Sequence, residues 1–232
     1  MGSLRIGGFT PLTTTDYPGQ LAAVVFCQGC SWNCRYCHNP HLIPAEGPSQ
    51  TTWPEILAFL AKRQGLLDAV VFSGGEPTLQ GELESAIRNV RELGFKVGLH
   101  TAGMYPKRLE QILPLVDWVG MDIKAPFEDY ENITKVPDSG NKAKSSAQIL
   151  INSGITHEFR TTWHPLLLGY HDLLKLAHEL ASLGANHYVL QDFRAQGCKD
   201  KELNENPVNN TADHPITELL APYIETFSIR TA

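Results

Sequence analysis

No part of the chain approaches the roughly 18 consecutive apolar residues that a membrane-spanning helix needs. Its start, MGSLRIGGFT, lacks the apolar core of a secretory signal. These two absences lead to the expectation of a cytoplasmic protein. Positive charge is also in short supply. Lys and Arg number 19 against 25 Asp and Glu, a formal net charge of −6, so there is no global basic field to attract a phosphate backbone. Nucleic acid is thereby excluded as a general partner. Cysteine is scarce as well: five in 232 residues are too few to staple a chain of this length. Four of the five fall within eleven residues, which points to a metal or redox site and away from a disulfide framework. The 42% of apolar residues suffice for one large core. No internal repeat or boundary divides the chain, so residues 1–232 are expected to form a single domain.

After a Gly/Thr/Pro-rich lead-in over residues 1–19, β-branched runs alternate with longer amphipathic segments, the pattern of βαβ units around a parallel sheet. The strand candidates are Leu21 to Phe26, Ala69 to Ser73, Phe95 to His100, Trp118 to Ile123, His157 to Trp163 and His187 to Gln191. Most are near-continuous apolar runs, as strands covered on both faces should be. Helical patterns cover Pro54 to Gln64, Gly81 to Leu93, Pro106 to Val116, Ala143 to Ser153, His171 to Leu183 and Pro215 to Phe227. Glycines in ELGF, NSGI and SLGA suit helix ends. Six units fall short of the eight of a full barrel. An open six-unit (β/α)6 barrel or a doubly wound sheet fits better. The polar, Asn-rich stretch over residues 199–214 reads as a long surface loop.

The segment FCQGCSWNCRYCHNP begins where the first strand ends, at the edge where α/β folds place their chemistry. Cys30, Cys34 and Cys37 are spaced C-x3-C-x2-C, which lets a compact loop wrap a cubane and supply thiolates to three irons, leaving the fourth open. Three other readings are weaker. Structural zinc usually takes two Cys pairs across a longer spacer. A ferredoxin run needs C-x2-C-x2-C and a distant Cys-Pro, whereas Cys198 precedes Lys199. A redox CxxC pair leaves the remaining cysteines unexplained. Cys27 reads as a small buried strand-end residue and Cys198 as an ordinary thiol beside a polar loop.

This cysteine loop, with Tyr36 directly before its last cysteine, resembles the signature of the radical S-adenosylmethionine (SAM) superfamily. The resemblance implies a [4Fe-4S] cluster on Cys30, Cys34 and Cys37, SAM chelating the open iron through its amine and carboxylate, and Tyr36 against the adenine. It also favours the open partial TIM barrel over the doubly wound sheet. At the end of the second strand, Gly74, Gly75, Glu76 and Pro77 match the family's string for the SAM amino group. Two glycines permit close backbone approach, and Glu76 offers an acceptor to an ammonium.

Period 2 puts Asp122 and Lys124 on one face of the fourth strand, a costly pair to bury without a purpose. The match there is to the glycyl-radical-enzyme activases. It implies that Lys124 holds the SAM carboxylate, while Asp122, with Thr101 and the Met121 backbone, serves a monovalent cation or its surroundings. His100 departs from the acid that such activases carry at that strand end. Arg160 suits SAM's carboxylate or ribose, or an ordinary salt bridge. Gln191, Asp192 and Arg194 complete a polar ring, and His38 and Asn39 follow the last cysteine.

Over most of its length the chain is most similar to the activating proteins of anaerobic ribonucleoside-triphosphate reductases, through GGFTPLTTTDYPGQLAAVVFCQGC, CHNP, SGGEPTLQ and VGMDIKAP. The implied reaction is one-electron cleavage of SAM to methionine and a 5′-deoxyadenosyl radical, which takes a Cα hydrogen from a glycine of a partner enzyme. A flavodoxin- or ferredoxin-type reductant is implied with it. The alternatives are a compact radical SAM enzyme acting on a small molecule, such as a 7-carboxy-7-deazaguanine synthase-like enzyme, and a non-catalytic iron–sulfur electron carrier.

Overall fold

The computed structural model describes residues 3–48, 51–208 and 215–231. Eight strands form one sheet in sequential order. They are β1 (Ile6–Thr13), β2 (Ala22–Cys27), β3 (Ala69–Gly74), β4 (Lys96–Thr101), β5 (Trp118–Asp122), β6 (His157–Trp163), β7 (His187–Asp192) and β8 (Thr226–Arg230). β1 runs antiparallel to β2, and every later pairing is parallel. Among the described residues β1 and β8 do not pair with each other. The sheet is therefore an open barrel of the expected class, with the six expected strands as β2 to β7.

Two strands were not expected. The supposed lead-in contains β1, and the supposed last helix stops early: α8 is Ile216–Leu220, and the chain then extends into β8. The remaining helices are α1 (Trp53–Ala61), α2 (Leu83–Glu92), α3 (Pro106–Ile112), α4 (Tyr130–Thr134), α5 (Ser139–Ser153), α6 (Tyr170–Leu183) and α7 (Lys201–Glu205). α7 interrupts the stretch read as a surface loop. Asp200 caps it by accepting from the Leu203 amide at 3.2 Å, and Leu203 is fully buried. Residues 209–214 of that expected loop lie outside the described residues. Gly94, Gly154 and Gly184 all take positive φ just past α2, α5 and α6, where a side chain would be strained.

Strand alternation divides the buried side chains into two sets. One set packs outward under the helices and forms the main core, including Val25, Phe72, Leu99, Val119, Phe159 and Leu190. The other faces the barrel interior and comprises Tyr17, Ala22, Val24, Ala69, Val71 and Trp118. Tyr17 stacks on Trp118 with centroids 5.2 Å apart and plugs the lower end. Gly98 makes room for the plug, because a Cβ there would sit 3.0 Å from the Tyr17 ring. Above the plug the same inward register continues through Ser73, His100, Asp122, Arg160, Thr162 and Gln191. The interior is thus apolar at the bottom and polar at the C-terminal edge of the strands.

The inner apolar set is small, so the plug carries a large share of it. Trp118→Ala should lower the unfolding free energy by about 3–5 kcal/mol, whereas Leu12→Ala at the exposed β1 surface should change it by less than about 0.5. Denaturant unfolding of both variants checks this.

Candidate functional site

A cavity of about 240 Å³ opens at the C-terminal edge of the strands. Its wall is built from the cysteine loop after β2 and from the ends of β3 to β7. Of the residues expected at the site, Cys30, Cys34, Tyr36, Cys37, Gly74, Gly75, Thr101, Asp122, Lys124, Arg160, Gln191 and Arg194 all line it. Asp16, Trp32, Ser73, Met104 and Thr162 line it as well and were not foreseen.

The cysteine loop is fixed from several sides. Its first residues are bonded to the chain that follows, from the Gly29 amide to the Leu42 carbonyl at 2.8 Å and from the Cys30 amide to the Ile43 carbonyl at 3.0 Å. The amides of Asn33 and Arg35 donate to the carbonyls of Thr134 and Ile133 in α4. Arg35 donates to Asp200 and Glu202, both at 2.8 Å, and the Cys198 thiol approaches the Arg35 carbonyl at 3.5 Å. Neither α4 nor this long-range latch left a periodic signal in the sequence. Cys27 is fully buried beneath the loop, where burial pushes its thiol far up.

The glycine pair after β3 packs against that loop. The amides of Gly75 and Glu76 donate to the carbonyls of Cys27 and Gly29 at 3.0 and 2.9 Å. Gly74 takes φ +112°, and a Cβ there would meet the Cys27 backbone at 2.5 Å. A Cβ on Gly75 would collide with the Gly29 carbonyl. Close approach of loop and turn therefore requires both glycines before any ligand is considered.

Glu76 and Pro77 depart from expectation: both are buried and neither lines the cavity. The Glu76 carboxylate accepts from the Thr78 amide (3.1 Å) and hydroxyl (2.6 Å), the Thr101 hydroxyl (2.7 Å) and the Ala102 amide (2.9 Å). Burial pushes its carboxyl up, against the pull of these four donors. Three of these donors fall on Oε1 and one on Oε2, and together they join the end of β3 to the end of β4.

At the cavity floor, Asp122 accepts from Arg160 Nε at 3.1 Å and Nη2 at 2.9 Å, and its other oxygen lies 3.5 Å from Lys124 Nζ. Burial favours the neutral acid, but Arg160 and then Lys124 hold the Asp122 carboxyl below the ordinary range. Burial likewise disfavours the Lys124 ammonium, and the oxygens and thiol around it more than offset this, so it stays charged. Lys124 also reaches the Tyr36 hydroxyl at 3.4 Å and lies 5.3 Å from the centre of that ring. His100 is pushed down to about 3 by burial and by neighbouring Arg160. Its nitrogens face the Ser73 hydroxyl at 3.2 Å and the Asp16 carbonyl at 2.8 Å.

The donor set fits the cluster. Three free thiols line one cavity beside a buried ammonium. Among the described residues no three His, Cys, Asp or Glu side chains meet as one metal ion requires. Of the residues implied for an alkali cation, Asp122 is shared by two cationic side chains, and Thr101 donates to Glu76 while accepting from the Gly103 amide at 3.0 Å.

The pattern of the Radical SAM superfamily matches residues 24–180. The chain belongs to that superfamily. It is 30% identical, over 97% of its length and 95% of the relative's, to a Methanocaldococcus jannaschii protein named as a glycyl-radical enzyme activating enzyme. That likeness places it among the radical SAM enzymes of the glycyl-radical activating kind. It is also 37% identical over 136 residues to the pyruvate formate-lyase-activating enzyme of Clostridium pasteurianum and 28% identical over 160 residues to pyruvate formate-lyase 1-activating enzyme of Escherichia coli K12. These matches cover 56% and 65% of this chain, and the chain spans 57% and 64% of those two relatives. In fold it is similar to Streptococcus suis SuiB, with TM-score 0.65 and 15% identity over 88% of this chain and 47% of the other. QueE from Escherichia coli gives TM-score 0.55 and 17% identity over 88% and 92%. Among the described residues no helix is long and apolar enough to cross a membrane.

A neutral, half-buried His100 has a consequence for stability. The unfolded chain takes up a proton there below about pH 6.5, and the folded chain does not until about pH 3. Stability is therefore lost as pH falls from 6.5. Between pH 6.5 and 5 the loss from this group amounts to roughly 2 kcal/mol. His100→Gln should flatten the profile by that amount in urea unfolding measured across the interval.

Proposed function

We propose that the cavity binds a [4Fe-4S] cluster through Cys30, Cys34 and Cys37 together with SAM, and that the protein installs a glycyl radical on a partner enzyme. The observation that carries the reading is the convergence of three thiols, a charged Lys124 and the Gly74–Gly75 edge on one cavity. When bound, cluster and SAM supply a one-electron reductive cleavage and hydrogen abstraction from a glycine Cα.

The protein's own part is to bind, orient and exclude water. Lys124 offers its ammonium to the SAM carboxylate, and Tyr36, Cys34 and Asp122 around it keep it charged. Tyr36 presents a buried aromatic wall to the adenine. Gly74 and Gly75 provide the backbone edge beside the methionyl amine. Glu76 and Pro77 act by holding that edge and the Thr101–Ala102 corner in place. Gln191 and Arg194 stand at the rim, toward the ribose or the entering peptide.

The partner is an anaerobic ribonucleotide reductase, and a flavodoxin- or ferredoxin-type protein is the reductant. The opening segment and the CHNP string support the reductase. The likeness to pyruvate formate-lyase activases makes that lyase the competing partner. A reducing cytoplasm suits five unpaired cysteines.

Cys30→Ala, Cys34→Ala and Cys37→Ala should each lose the cluster on anaerobic reconstitution, while Cys27→Ala and Cys198→Ala keep it. Iron and sulfide counts decide this, and a Cys27→Ala protein as empty as Cys34→Ala would overturn the ligand set. For the reaction, each candidate partner is prepared with deuterium at its target glycine Cα and incubated with reduced protein and SAM. Label should appear in 5′-deoxyadenosine with the reductase. Transfer from pyruvate formate-lyase alone would reassign the partner, and transfer from neither would remove the glycyl-radical reading.

A further inference from the structure

The activase resemblance implies a monovalent cation beside SAM, and two of the side chains that should hold it, Asp122 and Thr101, are already engaged by other groups of the protein. The geometry points to the guanidinium of Arg160 as the built-in occupant of that charge position, which makes SAM binding by this protein independent of the alkali cation in solution. The inference rests on the reading of the cavity as a SAM site.

Three observations carry it. Arg160 is 6% exposed and held by three hydrogen bonds, two to Asp122 Oδ1 and one from Nη2 to the Gly120 carbonyl at 3.2 Å. A buried guanidinium held through Nε and Nη2 in this way is a fixture of the floor and not a mobile side chain. Second, the sheet is hollowed to accept it. A Cβ on Gly120 would lie 2.7 Å from Arg160 Nη1 and 2.8 Å from its Cζ, so any other residue at that point of β5 would displace the guanidinium. Third, the carboxylate that another cation would need is already engaged. Arg160 and Lys124 share the carboxylate of Asp122, so an alkali ion placed beside it would compete with two built-in cations. Arginine, which cannot be deprotonated or washed out, makes the local charge permanent.

The test is SAM binding by the cluster-loaded protein, followed anaerobically by calorimetry in potassium, sodium and choline chloride at equal ionic strength. The expected result is one affinity, within twofold, in all three salts, since choline is too large to replace an alkali ion. Cluster-free protein should also melt at one temperature in the three salts. Arg160→Ala should bind SAM at least tenfold more weakly in choline than in potassium, and Arg160→Lys, which restores the charge without the planar fork, should recover most of the loss. Wild-type affinity that falls tenfold in choline would overturn the inference while leaving SAM binding, and with it the proposed function, intact. Equal affinities for Arg160→Ala in potassium and choline would also overturn it. Absence of SAM binding in every salt would instead remove the functional reading and this inference with it.

Discussion

The carboxylate of Glu76 is withdrawn from water and surrounded by four donors, two from the turn after β3 and two from the end of β4. A buried acceptor ringed by four donors is geometrically demanding, because losing a partner weakens the satisfaction of a charge in a low-dielectric interior. The bond network sets where β3 stops relative to β4. It also holds the glycine pair against Cys27 and Gly29, so one of the several anchors of the thiol loop depends on Glu76. The cavity is thus a by-product of how two adjacent strand ends are tied together.

The six parallel strands were legible because each is covered on both faces and reads as an apolar run, with Val70, Val71 and Phe72 of β3 as an example. β1 and β8 were not. Each pairs on one side only and is largely half-buried or exposed, so IGGFTPLT and TFSIR carry no strong alternation. α4 and α7 are each five residues long, shorter than two turns, and a helix that short has no period to detect. The site divides along the same line. Residues on strand ends, such as Asp122, Arg160 and Gln191, follow from period 2, whereas the direction of Glu76 depends on a turn whose backbone the sequence does not encode in any period.

The floor of the cavity explains a substitution that looked anomalous. His100 replaces an acid that the activase resemblance leads one to expect, and it sits beside a guanidinium that needs only one carboxylate. A second acid at position 100 would have had to share Arg160 with Asp122, and the neutral imidazole avoids this. It bridges the Ser73 hydroxyl and the Asp16 carbonyl instead. His100, Gly120 and Arg160 therefore form one linked choice, spread over three strands and 61 residues of sequence.

The latch between Arg35 and Asp200 spans 165 residues. On a ribosome adding roughly 5–20 residues per second, the thiol loop leaves the exit tunnel some 8–33 s before its clasp has been made. During that interval Cys30, Cys34 and Cys37 hang from a nascent strand without the carboxylates around α7 to shape them. The clasp on the thiol loop is in consequence among the last contacts of the fold that translation allows to form.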